Sequence, residues 1–336
     1  MRLFAALLVL FSHQYALLGQ AEPAVAGMSF GEIGVCIFFS ISGYLVTQSW
    51  VSDPHPFRFA AKRFLRIWPG LFVAICFCAL VIGPLATTLP LLEYLRSPEM
   101  HGYFALLIMK MRFNLPGVFL DIPYPRALNG SLWTIPLELS CYAALLIAGM
   151  LRVTNFRWLM PAIVLGLAIH FFTTDRSTVG VIANYRMQYG LFFGFGACMW
   201  LFRDIWTNRR ITGAVLLLAG TAIAIYAQKY LIASLLAIPY ASIAFGTAST
   251  PVARRFGRFG DVSYGVYIYA FPVQQTVIWA THGRLSFIEY LATSVLATLV
   301  LAYLSWHLVE APTLKLKPRS KRSLASPPVH GAATAS

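Results

Sequence analysis

Near its start the chain reads RLFAALLVLFSHQYALL, residues 2–18. The run from Leu3 to Leu18 is mostly apolar, which favours a membrane-spanning helix. His13 lies inside this run, and Arg2 lies eleven positions earlier, close to three helical turns. On a helix the two side chains would share a face and stand about 16 Å apart along the axis, roughly half of a bilayer core. With Arg2 at one surface, His13 is near the midplane, where an ionisable group is costly and marks a functional site by default.

Composition places the rest of the chain in a membrane as well. Its 336 residues are 58% hydrophobic and 11% charged, whereas soluble domains carry roughly 25% charged residues. The apolar runs are too long and too uncharged for barrel strands, so helices that satisfy their own backbone hydrogen bonds remain. The net charge of +14 does not indicate nucleic acid, because the basic residues are scattered and form no stripe. The five cysteines have no paired spacing, so no metal site is expected.

Ten apolar windows predict an all-α integral membrane protein, a bundle of about ten transmembrane helices. The first window is predicted to be retained, because no cleavage site follows it. Pro69, Pro136, Pro161 and Ser263 mark predicted helix boundaries. The windows are residues 3–18, 30–49, 69–90, 134–151, 159–173, 187–202, 211–227, 230–248, 264–282 and 287–309.

The basic residues predict the orientation of this bundle. Eighteen of the 26 lysines and arginines fall on the side of the two termini. Because cytoplasmic loops carry the excess of positive charge, both termini are expected in the cytoplasm. The eight on the other side are Arg96, Lys110, Arg112, Arg126, Arg176, Arg186, Lys229 and Arg284.

Two regions differ from this regular pattern. Residues 1–314 are predicted to form one membrane-embedded domain, and residues 315–336 are basic and then rich in Ala, Ser and Pro, which predicts a disordered cytoplasmic tail. The outward loop from Pro90 to Leu132 is too long for a plain connector and is expected to carry function. Charged residues and a proline interrupt its apolar part, 103–119, so we place that part at the interface or as a re-entrant piece.

Arg63 and Arg66 lie in the cytoplasmic stretch 59–69. Their spacing of three residues places both on one face of a short helix at the membrane surface. Most basic clusters of this kind only set the topology. The alternative is a phosphate site, because paired guanidinium groups bind phosphate oxygens in a forked geometry.

Glu138 is the only carboxylate in its span, about five residues below the predicted outer mouth. An unpaired buried carboxylate is costly, and two partners are open. Glu138 either pairs with an arginine of the outer loop, such as Arg126, or pairs with His13 across the bundle and orients its imidazole. His13 itself is either hydrogen-bonded to a neighbouring helix or acts as a general base.

Taken together, these segments resemble the acyltransferase-3 family of polytopic membrane acyltransferases, which includes bacterial polysaccharide O-acetyltransferases. Each motif is weak alone, but their order and spacing are specific. The stretches that carry the resemblance are 2–13, 34–45, 63–69 and 133–142, extended by 263–275 and 310–312.

The resemblance implies that an acyl group, usually acetyl from acetyl-CoA, is transferred across the bacterial inner membrane to a hydroxyl of a cell-envelope or exported glycan. His13 matches the essential histidine of the family, and Arg2 matches its arginine partner. Arg63 and Arg66 match the pair expected near the coenzyme A phosphates, and Glu138 matches the glutamate of the tryptophan-and-glutamate motif. The implied partners are the lipid bilayer, acyl-CoA and the glycan, with no metal and no nucleic acid.

The sequence departs from the family pattern in two places. Members normally carry about ten residues before the arginine of the first motif, whereas Met1 directly precedes Arg2 here. Members often have a soluble C-terminal domain that completes the transfer, and none is recognisable in this sequence. We therefore expect the protein to act alone on its acceptor or to hand the acyl group to a partner protein.

A different class fits the same composition. A transporter or exporter of a glycan, lipid or small solute would use His13 and Glu138 as a proton relay. The arginine pair at the inner face and the lack of a visible inverted repeat favour the enzyme. A structural membrane subunit, the third class, predicts that neither side chain matters.

Overall fold

The computed structural model describes residues 1–175, 179–248 and 260–318. Most of the predicted tail, residues 319–336, lies outside the described residues. Several basic residues that were counted for the predicted orientation also lie outside them: Arg176, Arg254, Arg255, Arg258, Arg319, Lys321 and Arg322.

Within the described residues the fold is built from ten long helices and one short hairpin. The hairpin consists of β1 (Ala24–Val25) and β2 (Met28–Ser29). The helices are α1 (Arg2–Leu17), α2 (Phe30–Ser52), α3 (Pro56–Phe77), α4 (Ile135–Met150), α5 (Leu159–Thr173), α6 (Val181–Leu201), α7 (Arg210–Tyr226), α8 (Tyr230–Thr247), α9 (Ser263–Thr281) and α10 (Phe287–Ser305).

The helices follow the ten predicted windows, and their character is that of a membrane protein. In the described part of the chain, five are long and apolar enough to cross a membrane, and α1, α5 and α7 are shorter apolar helices. The all-α membrane class is therefore confirmed in outline. The count of ten spans and the cytoplasmic position of both termini stay predictions.

Helix α3 differs most from its window. It begins at Pro56, thirteen residues before Pro69, and continues through a π-helical turn at Cys78–Ile82 to Gly83–Ala86. Pro69 was predicted as a boundary, which is wrong, since it lies inside α3. The apolar window missed the first half because Arg58 and Lys62 lower its hydropathy. Ser263 likewise is the first residue of α9 and not its N-cap.

Helices α1 and α2 run antiparallel in close contact. A Cβ atom on Gly34 would lie 2.7 Å from the carbonyl oxygen of Ala5, and one on Gly31 would lie 3.2 Å from Ser12 Oγ. Arg2 reaches Ser42 at the other end of the pair. We call the two ends of the bundle the Arg2 end and the His13 end.

Helices α2 and α6 cross at two glycines. A Cβ atom would lie 1.9 Å from the carbonyl oxygen of Phe193 if placed on Gly43, and 2.0 Å from that of Ser40 if placed on Gly196. Both clashes are with backbone atoms, which a side-chain rotation cannot relieve. Small residues are what allow two helix backbones to approach this closely in a membrane.

We expect Gly43→Ala to separate α2 from α6 and to destabilise the protein by about 1–3 kcal/mol, the usual cost of overpacking. The matched control is Gly166→Ala in α5, since a Cβ atom there has nothing within 4 Å. Thermal unfolding of both variants in the same detergent would measure the difference. Equal melting temperatures for the two variants would contradict the close crossing.

The long loop after α3 folds back along that helix. Its start and return are joined by a bridge between Thr87 and Val118. Between these points the carbonyl oxygen of Leu107 accepts a 3.1 Å hydrogen bond from the indole of Trp68. Trp68 lies nineteen residues before Thr87, about 28 Å along the helix. The loop therefore re-enters the bundle, which is one of the two placements expected from the sequence.

After this loop the chain descends along α9 before α4 begins. The Gln275 amide donates to the carbonyl oxygen of Ala127 at 2.8 Å, and the Tyr267 hydroxyl donates to that of Ser131 at 2.9 Å. Gln275 and Tyr267 are eight residues apart on α9, about 12 Å. Helix α4 consequently starts inside the bundle and not at its outer mouth.

Candidate functional site

Two arginines share one carboxylate at the Arg2 end. Arg66 Nη2 lies 2.6 Å from Asp261 Oδ2, and Arg2 Nη1 lies 3.4 Å from the same oxygen. Arg66 also pairs with Glu310, which is 2% exposed, at 3.7 Å. These contacts join α1, α3, the residues before α9 and the turn after α10. We call Arg2, Arg66, Asp261 and Glu310 the arginine cluster.

Positive charge dominates around this cluster. Burial raises the pKa of Asp261, but the guanidinium groups of Arg66 and Arg2 outweigh it and hold the pKa at about 2. Burial lowers the pKa of Lys317, and so do the nearby positive charges of Arg63, Arg66 and Lys62. Lys317 is therefore a further cation close to Arg63 and Arg66.

Glu138 lies beside this cluster and not beside His13. Its Oε1 accepts a 3.1 Å hydrogen bond from the Ser42 hydroxyl and a short one from the Tyr142 hydroxyl. Ser42 Oγ in turn accepts from Arg2 Nη2 at 3.4 Å. In the described residues neither His13 nor Arg126 is hydrogen-bonded to Glu138, so both expected pairings are wrong. The reason is the deep start of α4, which carries Glu138 down to the level of Arg2.

Arg63 sits next to the cluster without joining its ion pairs. Its guanidinium lies 5.7 Å from the centre of the Tyr142 ring and 5.8 Å from that of Phe59. Its Nη2 donates to Ser49 Oγ at 3.5 Å. Arg63 and Arg66 therefore lie on one face as predicted, but on the first half of a long helix and not on a short surface helix.

A small cavity of about 50 Å³ connects these residues to the middle of the bundle. We call it the central cavity. Arg2, Arg66 and Glu138 supply its charged lining, and most of the other lining side chains are aromatic or aliphatic. The lining also includes Val35, Phe38, Thr134, Ile135 and Tyr267.

His13 lies beyond the cavity, on the face of α1 between α2 and α9. Its imidazole makes an edge-to-face contact with Phe271 at a centroid distance of 5.4 Å. Its Nδ1 is inaccessible to water and has no hydrogen-bond partner among the described residues. A buried ring nitrogen left without a partner is costly in a structural histidine.

The separation between His13 and the cavity is about one helical turn. Val35 lies four residues beyond Gly31, which packs against Ser12, and Tyr267 lies four residues before Phe271. Each step corresponds to about 6 Å along a helix. The structure thus brings together Arg2, Arg66 and Glu138, keeps Arg63 at their side, and places His13 about one helical turn beyond the cavity.

Comparison with known proteins identifies the family of this chain. A family model described as an acyltransferase domain matches residues 1–307. The chain belongs to the acyltransferase-3 family. The resemblance inferred from the sequence motifs is thereby confirmed, and the protein is an acyltransferase.

Two relatives of this acyltransferase match over almost its whole length. Its alignment with the O-acetyl transferase of Shigella phage Sf6 has 36% identity over 321 residues and covers 92% of this chain and 93% of that protein. The chain is 31% identical over 359 residues to nodulation protein 10 of Rhizobium leguminosarum bv. viciae, with 94% and 92% covered. No solved structure matches the acyltransferase significantly.

Sequence reasoning missed two acidic residues of the candidate site. Asp261 was passed over, although it stands two residues before the 263–275 stretch that carries part of the family resemblance. Its partner Arg66 is 195 positions away, so only the fold reveals the pair. Glu22 was also missed. It is the only acidic residue between α1 and α2, and it accepts a short hydrogen bond from Ser12, beside His13.

Proposed function

We propose that this protein is an O-acetyltransferase that moves the acetyl group of acetyl-CoA onto a hydroxyl of a cell-envelope or exported glycan. The observation that carries the proposal is the alignment along the bundle of the arginine cluster, the central cavity and, one helical turn beyond it, His13. The name of the phage relative supports the O-acetyl chemistry. We further propose ten spans in the bacterial inner membrane, with both termini and the Arg2 end in the cytoplasm.

The arginine cluster fits the phosphates of coenzyme A. Arg2, Arg66 and Arg63 supply forked N–H donors that match phosphate oxygens, and Lys317 adds a further positive charge nearby. Phosphates would displace Asp261 from the two arginines that it holds. Glu138 positions Arg2 through Ser42, so its proposed role is to orient the donor site and not the imidazole.

The distances fit the donor molecule. The pantetheine arm that carries the thioester is about as long as four extended residues, roughly 14 Å. Arg2 and His13 are about 16 Å apart along α1. The central cavity has a volume of only about 50 Å³. The arm enters only if lining side chains such as Phe38 rotate, because the cavity holds no more than one or two waters.

The reaction needs one base and a stabilised oxyanion. The acceptor oxygen attacks the thioester carbonyl, the C–S bond breaks, and the hydroxyl proton passes through the His13 imidazole to the sulfur of coenzyme A. Thr134 and Ile135 bring the first turn of α4 to the cavity. The Thr134 hydroxyl, which shares a hydrogen bond with the Tyr267 hydroxyl, is the proposed donor to the negative charge that develops on the carbonyl oxygen.

The proposal is tested with two measurements on the purified protein in nanodiscs. We expect saturable binding of acetyl-CoA, and transfer of labelled acetyl from it to de-O-acetylated glycan from the producing strain. The label should be released by mild alkali, as an ester is. A deletion strain should lack these esters, and the complemented strain should regain them.

The competing transporter makes the opposite predictions. It would bind no acetyl-CoA, and uptake into proteoliposomes would depend on a proton gradient. The acetyltransferase proposal would be overturned if the protein bound no acetyl-CoA and the deletion strain kept its glycan esters unchanged.

A further inference from the structure

A second, larger opening lies at the His13 end of the bundle. It has a volume of about 500 Å³ and is formed by the hairpin, the start of α2, the end of α5, α6 and the turn between α7 and α8. We call it the outer pocket. Its lining includes the side chains of Glu32, Phe172, Gln188, Gln228, Lys229 and Tyr230.

The chemistry of the outer pocket contrasts with that of the Arg2 end. One carboxylate, one ammonium group and two carboxamides supply both donors and acceptors, and their charges cancel. Phe172 is 38% exposed and Tyr230 is 41% exposed, so each offers an apolar surface. A hydroxyl-rich ligand with apolar C–H faces matches this lining better than a phosphate or a lipid tail does.

Part of the lining is held in place by the fold. Gln188 is only 9% exposed, and its amide nitrogen donates a hydrogen bond to Glu32 Oε1. The bond joins α6 to the first turn of α2. It uses one carboxylate oxygen and one amide N–H, and each group has further hydrogen-bonding capacity.

The pocket is connected to His13 by direct packing. Gly31, next to Glu32, lies against α1 so closely that a Cβ atom would be 3.2 Å from Ser12 Oγ and 3.4 Å from Glu22 Oε2. Ser12 donates to Glu22 and directly precedes His13. The outer pocket therefore lies at the same level of the bundle as His13, with Ser12 and Glu22 between Gly31 and α1.

We propose that the outer pocket is the acceptor subsite and binds the sugar residues that flank the hydroxyl to be acetylated. This inference rests on the proposed function. Glu32 and Lys229 select the acceptor by hydrogen bonds, Tyr230 packs against a sugar face, and Gln188 positions Glu32. None of these residues contacts the arginine cluster, so they act on the acceptor and not on the donor.

The test compares the kinetics of Glu32→Gln and Lys229→Ala with the wild-type protein in nanodiscs. The probe is de-O-acetylated glycan of the producing strain, at graded concentrations with saturating acetyl-CoA. We expect the KM for glycan to rise about tenfold or more in each variant, while the Kd for acetyl-CoA stays the same. The matched control is Glu289→Gln, which changes the same residue type at the exposed start of α10, keeps the capping box, and should leave both constants unchanged.

A second measurement does not depend on turnover. In Gln228→Cys, glycan should protect the new thiol from a membrane-impermeant maleimide, with the wild-type protein as the blank. Wild-type kinetics in both pocket variants, or no protection, would overturn the subsite. A wild-type protein that transfers no acetyl to glycan would instead overturn the proposed function.

Discussion

Replacing His13 by glutamine is expected to lower the rate of acetyl transfer by about 10²–10⁴-fold, the usual contribution of a general base. Glutamine keeps a polar group of similar length but cannot take up a proton. His13 lies inside the bundle against Phe271, where an ionisable side chain marks a functional site by default. Binding of acetyl-CoA should persist, because the arginine cluster is about 16 Å away along α1.

The matched control for this variant is His101→Gln, since His101 is an exposed histidine of the outer loop. Both proteins would be assayed for transfer to glycan and for acetyl-CoA binding by calorimetry. Full transfer activity in His13→Gln would exclude His13 as the base. Loss of both transfer and binding would point to a structural role.

The second large effect is expected at Arg66. Lysine keeps the positive charge beside Asp261 and Glu310, so Arg66→Lys should fold, but it loses the forked geometry that fits a phosphate. One charge-assisted hydrogen bond is worth about 1.5–3 kcal/mol. The Kd for acetyl-CoA should therefore rise by roughly 10–150-fold.

A shortened donor makes this experiment specific for phosphates. S-acetyl-pantetheine carries the same thioester without the nucleotide and its phosphates, so its affinity should be the same in wild type and Arg66→Lys. Arg58→Lys is the control, because Arg58 lies on the same helix but is paired with Asp53. Equal weakening of both donors, or equal effects of the two substitutions, would argue against a phosphate site.

Much of the fold could be predicted because apolar length is a local property. The windows at 30–49 and 159–173 correspond to α2 and α5 with small changes at the ends. Helix α3 could not be bounded in this way, since its first half is amphipathic: Arg58 and Lys62 pair with Asp53, and Arg66 faces the arginine cluster. Hydropathy registers the lipid-facing part of a helix and not the part that extends beyond it.

The site was predictable in its parts and not in its pairing. Arg2, Arg66 and His13 were found because charged groups near an apolar helix stand out. The partner of Glu138 was not, because its depth was counted from the outer mouth of the bundle. That count fails when a loop folds back, and no local pattern shows how far the chain descends before α4 begins.

The returning loop also has a consequence for biosynthesis. A non-helical backbone cannot rest in lipid, where its N–H and C=O groups would lack partners. The non-helical residues before α4 find such a partner on α9, where Gln275 donates to the carbonyl oxygens of Tyr124 and Ala127, and α9 lies more than a hundred residues later in the chain. The central cavity, which Tyr267 of α9 also lines, can therefore close only after most of the polypeptide has left the ribosome, and we expect a nascent chain to be inactive until then.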